Sequence, residues 1–263
     1  MLRNIRTVFI YAFAVIGFIL VVGYGAVRFG FTNTPGIIDR QSDFFQKKTE
    51  AVWSVGEEWE TFKTAVLRDK DSILKAGKDS SVRPRLIFSL LAVEQLRLYH
   101  TNRALFKEAF APLKLLGNQS QFSWGVMGIK QETAIEIEKH LKDTASPYYP
   151  GTAFEKLLDF ETPDRDTERF NRIIDENNRY YSYLYAGLYI REIETQWKRA
   201  GFDISNRPEI LATLFNIGFE HSNPNSNPQT GGSAIEINGK TYSFGGLAGE
   251  IYFSDELLTE LPR

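Results

Sequence analysis

The chain has 263 residues, of which 43% are hydrophobic and 24% are charged, and its formal net charge is −2. This balance is typical of a globular protein and excludes wholesale disorder, while the small negative charge gives no general basis for nucleic-acid binding. The absence of cysteine excludes disulfides, thiolate metal sites and a cysteine nucleophile.

The first predicted element is a membrane-spanning helix over residues 8–27. The run VFIYAFAVIGFILVVGYGAV carries no charge, and at about 1.5 Å per residue it matches the roughly 30 Å hydrocarbon core of a bilayer. It exceeds the apolar core of a cleaved signal peptide, and no A-x-A-like site follows it. Because Arg3 and Arg6 precede the run, residues 1–7 are predicted to form a cytoplasmic tail. We therefore expect a single-pass protein of the bacterial inner membrane with its bulk in the periplasm.

Residues 28–80 are predicted to form a linker and a juxtamembrane amphipathic helix. RFGFTNTPG is a turn-rich linker, and a helical pattern then runs from residue 43 to residue 74. Apolar side chains recur there every seven residues, at Phe45, Val52, Trp59, Val66 and Ile73. This heptad seam is expected to pack on the body of the protein. The alternative is that residues 45–73 meet an envelope protein partner.

Residues 81–221 are predicted to form a mainly α-helical domain, because no segment before residue 230 alternates like a strand. The expected helices cover residues 84–99, 102–116, 130–142, 164–178, 180–200 and 207–219.

Residues 222–263 are predicted to form a polar loop followed by a β-hairpin extension. The pair Asn238-Gly239 separates two short segments of alternating apolar residues, which is a strong hairpin signal. The later run GGLAG is interpreted as a flexible glycine turn.

Three sequence blocks remain as the carriers of chemistry. The first block, SLLAVEQ, is an apolar run followed by Glu94 and Gln95. The second, SWGVMGIKQETA, has one glycine on each side of Met127, and Gln131 opens the helix that follows. The third, LFNIGF, contains Phe215 and Asn216. Glycine permits a backbone to approach a ligand closely. The three histidines are scattered without ligand spacing, so we expect no metal and no cofactor. Nearby acids at Glu132, Glu136 and Glu138 are interpreted as a solvated helix face.

In this order, the blocks resemble the lysozyme-like family of bacterial lytic transglycosylases and goose-type lysozymes. In that family a catalytic glutamate closes an apolar helix, a G-x-M-G-L-x-Q-x-x-x-x-A-like stretch follows, and a Y-N-x-G motif comes later. The resemblance covers about residues 82 to 220. Gln95 stands where the family commonly has serine, and Phe215 stands in place of the usual tyrosine.

The resemblance implies a lysozyme-like fold and cleavage of peptidoglycan glycan strands by one glutamate. Burial keeps a carboxyl protonated. Glu94 is therefore expected to protonate the glycosidic oxygen between N-acetylmuramic acid and N-acetylglucosamine. The implied substrate-binding residues are Gln95, Met127, Gln131, Phe215, Asn216, Tyr181 and Tyr185. Two alternatives remain open. One is a lysozyme-like domain that only binds glycan or scaffolds an envelope complex, and the other is an unrelated helical protein with Glu94 at a solvated helix end.

Overall fold

The structure, a computed structural model, describes residues 51–101 and 124–263. The predicted cytoplasmic tail, the predicted membrane-spanning helix at residues 8–27 and the predicted helix at residues 102–116 lie outside these ranges. Within these two ranges, no helix combines the length and the apolarity needed to cross a bilayer.

The described residues form eight α-helices and one two-stranded sheet, which confirms the mainly α fold class. The helices are α1 (Glu57–Arg68), α2 (Lys70–Ser80), α3 (Pro84–Thr101), α4 (Gln131–His140), α5 (Arg165–Ile174), α6 (Tyr180–Arg199), α7 (Pro208–Ile217) and α8 (Phe244–Phe253). Short 3-10 turns cover Val52–Ser54 and Phe219–His221. Strand β1 (Ala234–Ile237) pairs antiparallel with β2 (Lys240–Ser243).

The predicted amphipathic helix over residues 43–74 is not continuous in its described part. Gly56, with φ at 125°, precedes α1, and Asp69 separates α1 from α2. Trp59, Val66 and Ile73 are buried inside the unit formed by residues 51–263. From Trp59 onward, the seam therefore packs on the body of the protein.

Asp69, between α1 and α2, forms a half-buried polar contact with the start of α6. Its carboxylate lies 3.0 Å from Nη1 of Arg179 and accepts a 2.7 Å hydrogen bond from the hydroxyl of Tyr183. A carboxylate satisfied in this way can occupy a position that otherwise requires an apolar side chain.

The C-terminal hairpin is confirmed, with Ile235 opposite Tyr242 and both turn residues in the left-handed region. The interpretation of GGLAG as a flexible turn is wrong, because this run lies inside α8. A Cβ at Gly245 would overlap Thr213 and the Glu209 carbonyl of α7, so glycine allows α7 and α8 to pack closely. The predicted boundaries at residues 80 and 221 both fall within the unit that spans residues 51–263.

Helix α3 lies at the centre of this unit and contacts α2, α6, α8 and β1. Its run from Leu86 to Val93 is buried, with Ser89 as the polar member. Arg85 is also fully buried, and its guanidinium donates hydrogen bonds to several backbone carbonyls within residues 251–256. These bonds fix the C-terminal segment to the helix that carries Glu94.

Candidate active site

Glu94 follows the buried apolar run of α3 and is only 4% exposed. One turn further along the helix, Arg97 donates two hydrogen bonds to its Oε2, from Nη2 at 2.6 Å and from Nε at 3.2 Å. The Arg97 side chain is 35% exposed, so its charge lies at the edge of the site rather than inside it.

Burial raises the pKa of the Glu94 carboxyl above its usual range, although the neighbouring Arg97 acts in the opposite direction. The cause is the loss of hydration that the charged form would need. A carboxyl with a raised pKa remains protonated closer to neutral pH, which is the condition for a general acid.

A tight turn over residues 124–129 brings backbone against this carboxyl. Trp124 and Ile129 close the turn with two backbone hydrogen bonds, of 2.8 and 3.1 Å. Gly125 and Gly128 have φ values of 66° and 63°, which side chains rarely adopt. A Cβ on Gly128 would lie 3.2 Å from Oε2 of Glu94, so glycine leaves the space in front of the acid open.

Gln95 holds this turn in place. Its Nε2 donates a 2.9 Å hydrogen bond to the carbonyl of Val126, and the residue is only 7% exposed. The predicted substrate contact is not visible in this geometry, because the side chain points to the turn and does not line the cleft. Gln95 instead positions Gly128 beside Glu94.

The opposite wall is built from the end of α7, where Asn216 is held by the returning polar loop. Its Oδ1 accepts hydrogen bonds from the backbone N–H of Ser233 at 2.8 Å and from the Ser233 hydroxyl at 3.0 Å. A backbone N–H can only donate, so the oxygen of the amide faces Ser233. The Nδ2 group then points away from Ser233 and can donate to a ligand.

Aromatic rings lie beside Asn216 on this side of the cleft. The Tyr189 ring lies 5.2 Å from the Phe215 ring and 4.3 Å from the Phe219 ring, measured between centroids. Phe215 also stacks on Phe244 of α8. These contacts fix the wall rigidly against the core of the unit.

Together these groups line a cleft of about 470 Å³. Its lining residues are Glu94, Arg97, Gly128, Ile129, Lys130, Glu132, Thr133, Glu136, Tyr189, Phe215, Asn216, Ile217, Gly218, Phe219, Glu220 and Ser233. Loss of hydration and the nearby charge of Glu220 raise the pKa of Glu136. The cleft thus combines one buried carboxyl, several more exposed carboxylates and an amide donor.

Three of the predicted site residues meet in this cleft, namely Glu94, Phe215 and Asn216. Met127 is fully buried in the core, and Gln131 opens α4 outside the cleft lining. Met127 was predicted to line the wall, and Gln131 was predicted to contact substrate or position the acid. The side chain of Met127 points into the core, and the helical phase of α4 places Gln131 beside the cleft lining rather than in it.

The two predicted sugar-stacking tyrosines also lie outside the cleft. Tyr181 packs under the guanidinium of Arg172 at 4.6 Å, and the hydroxyl of Tyr185 donates a 2.6 Å hydrogen bond to Glu138. Both rings are therefore engaged by α4 and α5.

Tyr189, Arg97 and Ser233 are among the site residues that sequence reasoning missed. A signal for Tyr189 existed, because it follows Tyr181 and Tyr185 at four-residue spacing on α6. Arg97 was detectable as the i+3 neighbour of Glu94. No signal pointed to Ser233, because it reaches Asn216 through a loop return.

The residues that the structure describes contain no group of three or more ligating side chains placed to hold a metal ion. Comparison with protein families, curated proteins and solved structures finds no match to the chain.

Proposed function

We propose that this protein is a membrane-anchored peptidoglycan lytic transglycosylase with a divergent lysozyme-like arrangement. The carrying observation is that Glu94, a buried carboxyl with a raised pKa, opens onto a cleft that is lined by Asn216 and aromatic rings. Residues 8–27 would anchor the chain and place residues 51–263 beside the cell wall. The sequence resemblance supplies the substrate class, and the cleft geometry supports it.

In the first step, protonated Glu94 gives its proton to the glycosidic oxygen between N-acetylmuramic acid and N-acetylglucosamine. The bond to the muramic acid C1 breaks as the leaving oxygen becomes a hydroxyl. The acetamido oxygen of the substrate stabilises C1, so no second protein carboxylate is required at this step. Ordinary glycosidases use two carboxyls for this purpose.

In the second step, the ionised Glu94 accepts the proton of the muramic acid 6-hydroxyl. The 6-oxygen then attacks C1 and closes the 1,6-anhydro ring, which returns Glu94 to its protonated form. The Nδ2 donor of Asn216 would hold the sugar, and Gly128 leaves space for the sugar in front of the carboxyl.

A second candidate function rests on the Glu94–Arg97 ion pair. An arginine that donates two hydrogen bonds to the carboxylate favours the ionised form, which cannot act as an acid. If the pair persists when glycan is bound, the domain binds glycan without cleaving it and serves as a scaffold subunit. Catalysis requires Arg97 to turn toward solvent as the sugar enters.

The deciding experiment incubates the purified full-length chain with cell-wall sacculi across a range of pH and examines the soluble products by mass spectrometry. We expect anhydro-muropeptides from the wild type. Glu94→Gln should lower their release by about 10²–10⁴-fold, because the amide has the shape of the acid but cannot act as a general acid.

Glu132→Gln is the matched control, since this exposed acid lines the same cleft and should leave release nearly unchanged. Reducing ends instead of anhydro ends would indicate hydrolysis by water and contradict the transglycosylase proposal. Sacculus binding without any product, unchanged in Glu94→Gln, would favour the scaffold function.

A further inference from the structure

A second concavity, of about 800 Å³, borders α4 on a different face from the cleft. The cleft uses Glu132 and Glu136 of this helix, whereas the concavity uses Ile135, Lys139 and the following Lys142. Its other side is formed by residues 158–163 and by α5. We name this concavity the α4–α5 groove.

The charges of the α4–α5 groove are only partly compensated. Arg169 forms a two-point ion pair with Glu138, with both N–O distances at 2.6 Å, and Lys142 pairs with Asp159. Lys139 and Arg165 also line the groove, and neither forms an ion pair with any of the residues that the structure describes. The groove therefore carries two cations that remain available to an anionic ligand.

Part of the groove lining is apolar. Ile135 is 41% exposed, and Phe160 and Pro163 lie beside it in the groove lining. The acids of the groove, Glu138 and Asp159, are already paired with Arg169 and Lys142. Two further cations beside an exposed aliphatic side chain suit an extended chain that carries carboxylates and small aliphatic side chains. An acidic peptide has this chemistry.

We infer that the α4–α5 groove binds the acidic peptide stem that muramic acid carries, while the glycan lies in the cleft. This inference rests on the proposed function, because the peptide is brought to the groove by the glycan to which it is attached. Four extended peptide residues reach about 13 Å. That length is enough to pass over α4, whose diameter with side chains is about 10–12 Å.

The test measures binding of a fluorescein-labelled alanyl-glutamyl-diaminopimelyl-alanine peptide, without glycan, to the full-length chain by fluorescence anisotropy. We expect the double variant Lys139→Gln/Arg165→Gln to bind about tenfold more weakly, as expected when two partly exposed charge contacts are lost. Lys156→Gln, an exposed cation outside the groove lining, is the matched control and should bind like the wild type.

A peptide with amidated carboxyl groups should lose the same affinity, and raised salt should weaken binding of the acidic peptide. Equal affinity of the double variant and the wild type, or no binding, overturns the inference even if sacculi are cleaved. Binding to phosphatidylglycerol vesicles is measured for the same variants. If the double variant loses vesicle binding but keeps peptide binding, the inference is also overturned, because the groove would then contact a membrane. Charge-dependent peptide binding without sacculus cleavage supports the groove and refutes the proposed activity separately.

Discussion

Two buried glutamates in this molecule have raised pKa values but very different surroundings. Glu94 borders the cleft beside Gly128, whereas Glu192 is fully buried, with its Oε2 lying 3.0 Å from Nδ1 of His140. The His140 ring is covered by Tyr148 at 4.6 Å and by Phe219 at 4.8 Å. Burial raises the pKa of Glu192 well above its usual range and lowers the pKa of His140 to about 4.

The two glutamates show that a raised pKa and access to a ligand are separate properties of a buried carboxyl. Burial alone can hold either carboxyl in its protonated form, but only Glu94 has open space in front of it. Glu192 lines neither the cleft nor the α4–α5 groove, and its Oε1 atom has no hydrogen-bond partner among the described residues, so a ligand in the cleft does not reach its proton.

The largest expected difference is in activity. Glu94→Gln should lower release of muropeptides by about 10²–10⁴-fold, the usual contribution of a general acid. Glu192→Gln should leave release within about threefold, because the amide preserves shape and can still hydrogen-bond His140. The measurement is the initial rate of product release from sacculi. Comparable losses in the two variants would mean that access does not distinguish these glutamates.

The next effect concerns the open space in front of Glu94. Gly128→Ala places a methyl group 3.2 Å from Oε2 in a left-handed conformation, and should reduce activity by about tenfold to a hundredfold. The backbone strain should cost about 1–2 kcal/mol of unfolding free energy. Gly201→Ala is the control, since its φ is 90° and no atom crowds its Cβ. Both variants should lose stability, measured by chemical denaturation, and only Gly128→Ala should lose activity.

A smaller effect is expected in the pH dependence. Arg97 lowers the pKa of Glu94 against the stronger effect of burial, so Arg97→Gln should raise that pKa further. The acid is active when protonated, and activity is lost as pH rises through its pKa. The alkaline limb of the pH–rate profile should therefore move to higher pH. A limb that does not move would show that Arg97 is already displaced when glycan binds.

The smallest effect is expected in the thermal stability of a variant of the fully buried Glu192. Because the folded pKa of Glu192 is raised, the wild type loses stability as pH rises above the unfolded value of about 4.5. Glutamine does not titrate, so the melting temperature of Glu192→Gln should exceed that of the wild type by a few degrees at pH 8 and by less at pH 5.

His140 acts in the other direction, because its lowered pKa removes stability as pH falls from 6.5 toward 4. This loss occurs in the wild type and in Glu192→Gln, so the difference between them isolates the glutamate. A melting-temperature difference that stays constant from pH 5 to pH 8 would contradict a protonated Glu192.

Features with local signals were predictable from the sequence. The period of apolar residues located α3 and α6 closely, and Asn238-Gly239 located the hairpin turn. Glu94 stood out because it ends an apolar run.

Features that depend on tertiary packing were not predictable. Gln131 and Glu132 differ by one position, about 100° around the helix, and only the packing of α4 decides that Glu132 faces the cleft. Helix α8 is rich in glycine, a poor helix former, and is stabilised by its close contact with α7. Ser233 reaches Asn216 only because the polar loop folds back across 17 positions of sequence.

The buried Arg85 has a consequence for the order of synthesis. Its carbonyl acceptors lie within residues 251–256, more than 160 positions later in the sequence, so a nascent protein lacks them until residues 251–256 have been synthesised. Until then, the helix that carries Glu94 holds a guanidinium without its partners and cannot reach its final packing. The helix that carries Glu94 would thus complete its packing only when residues 251–256 dock on it.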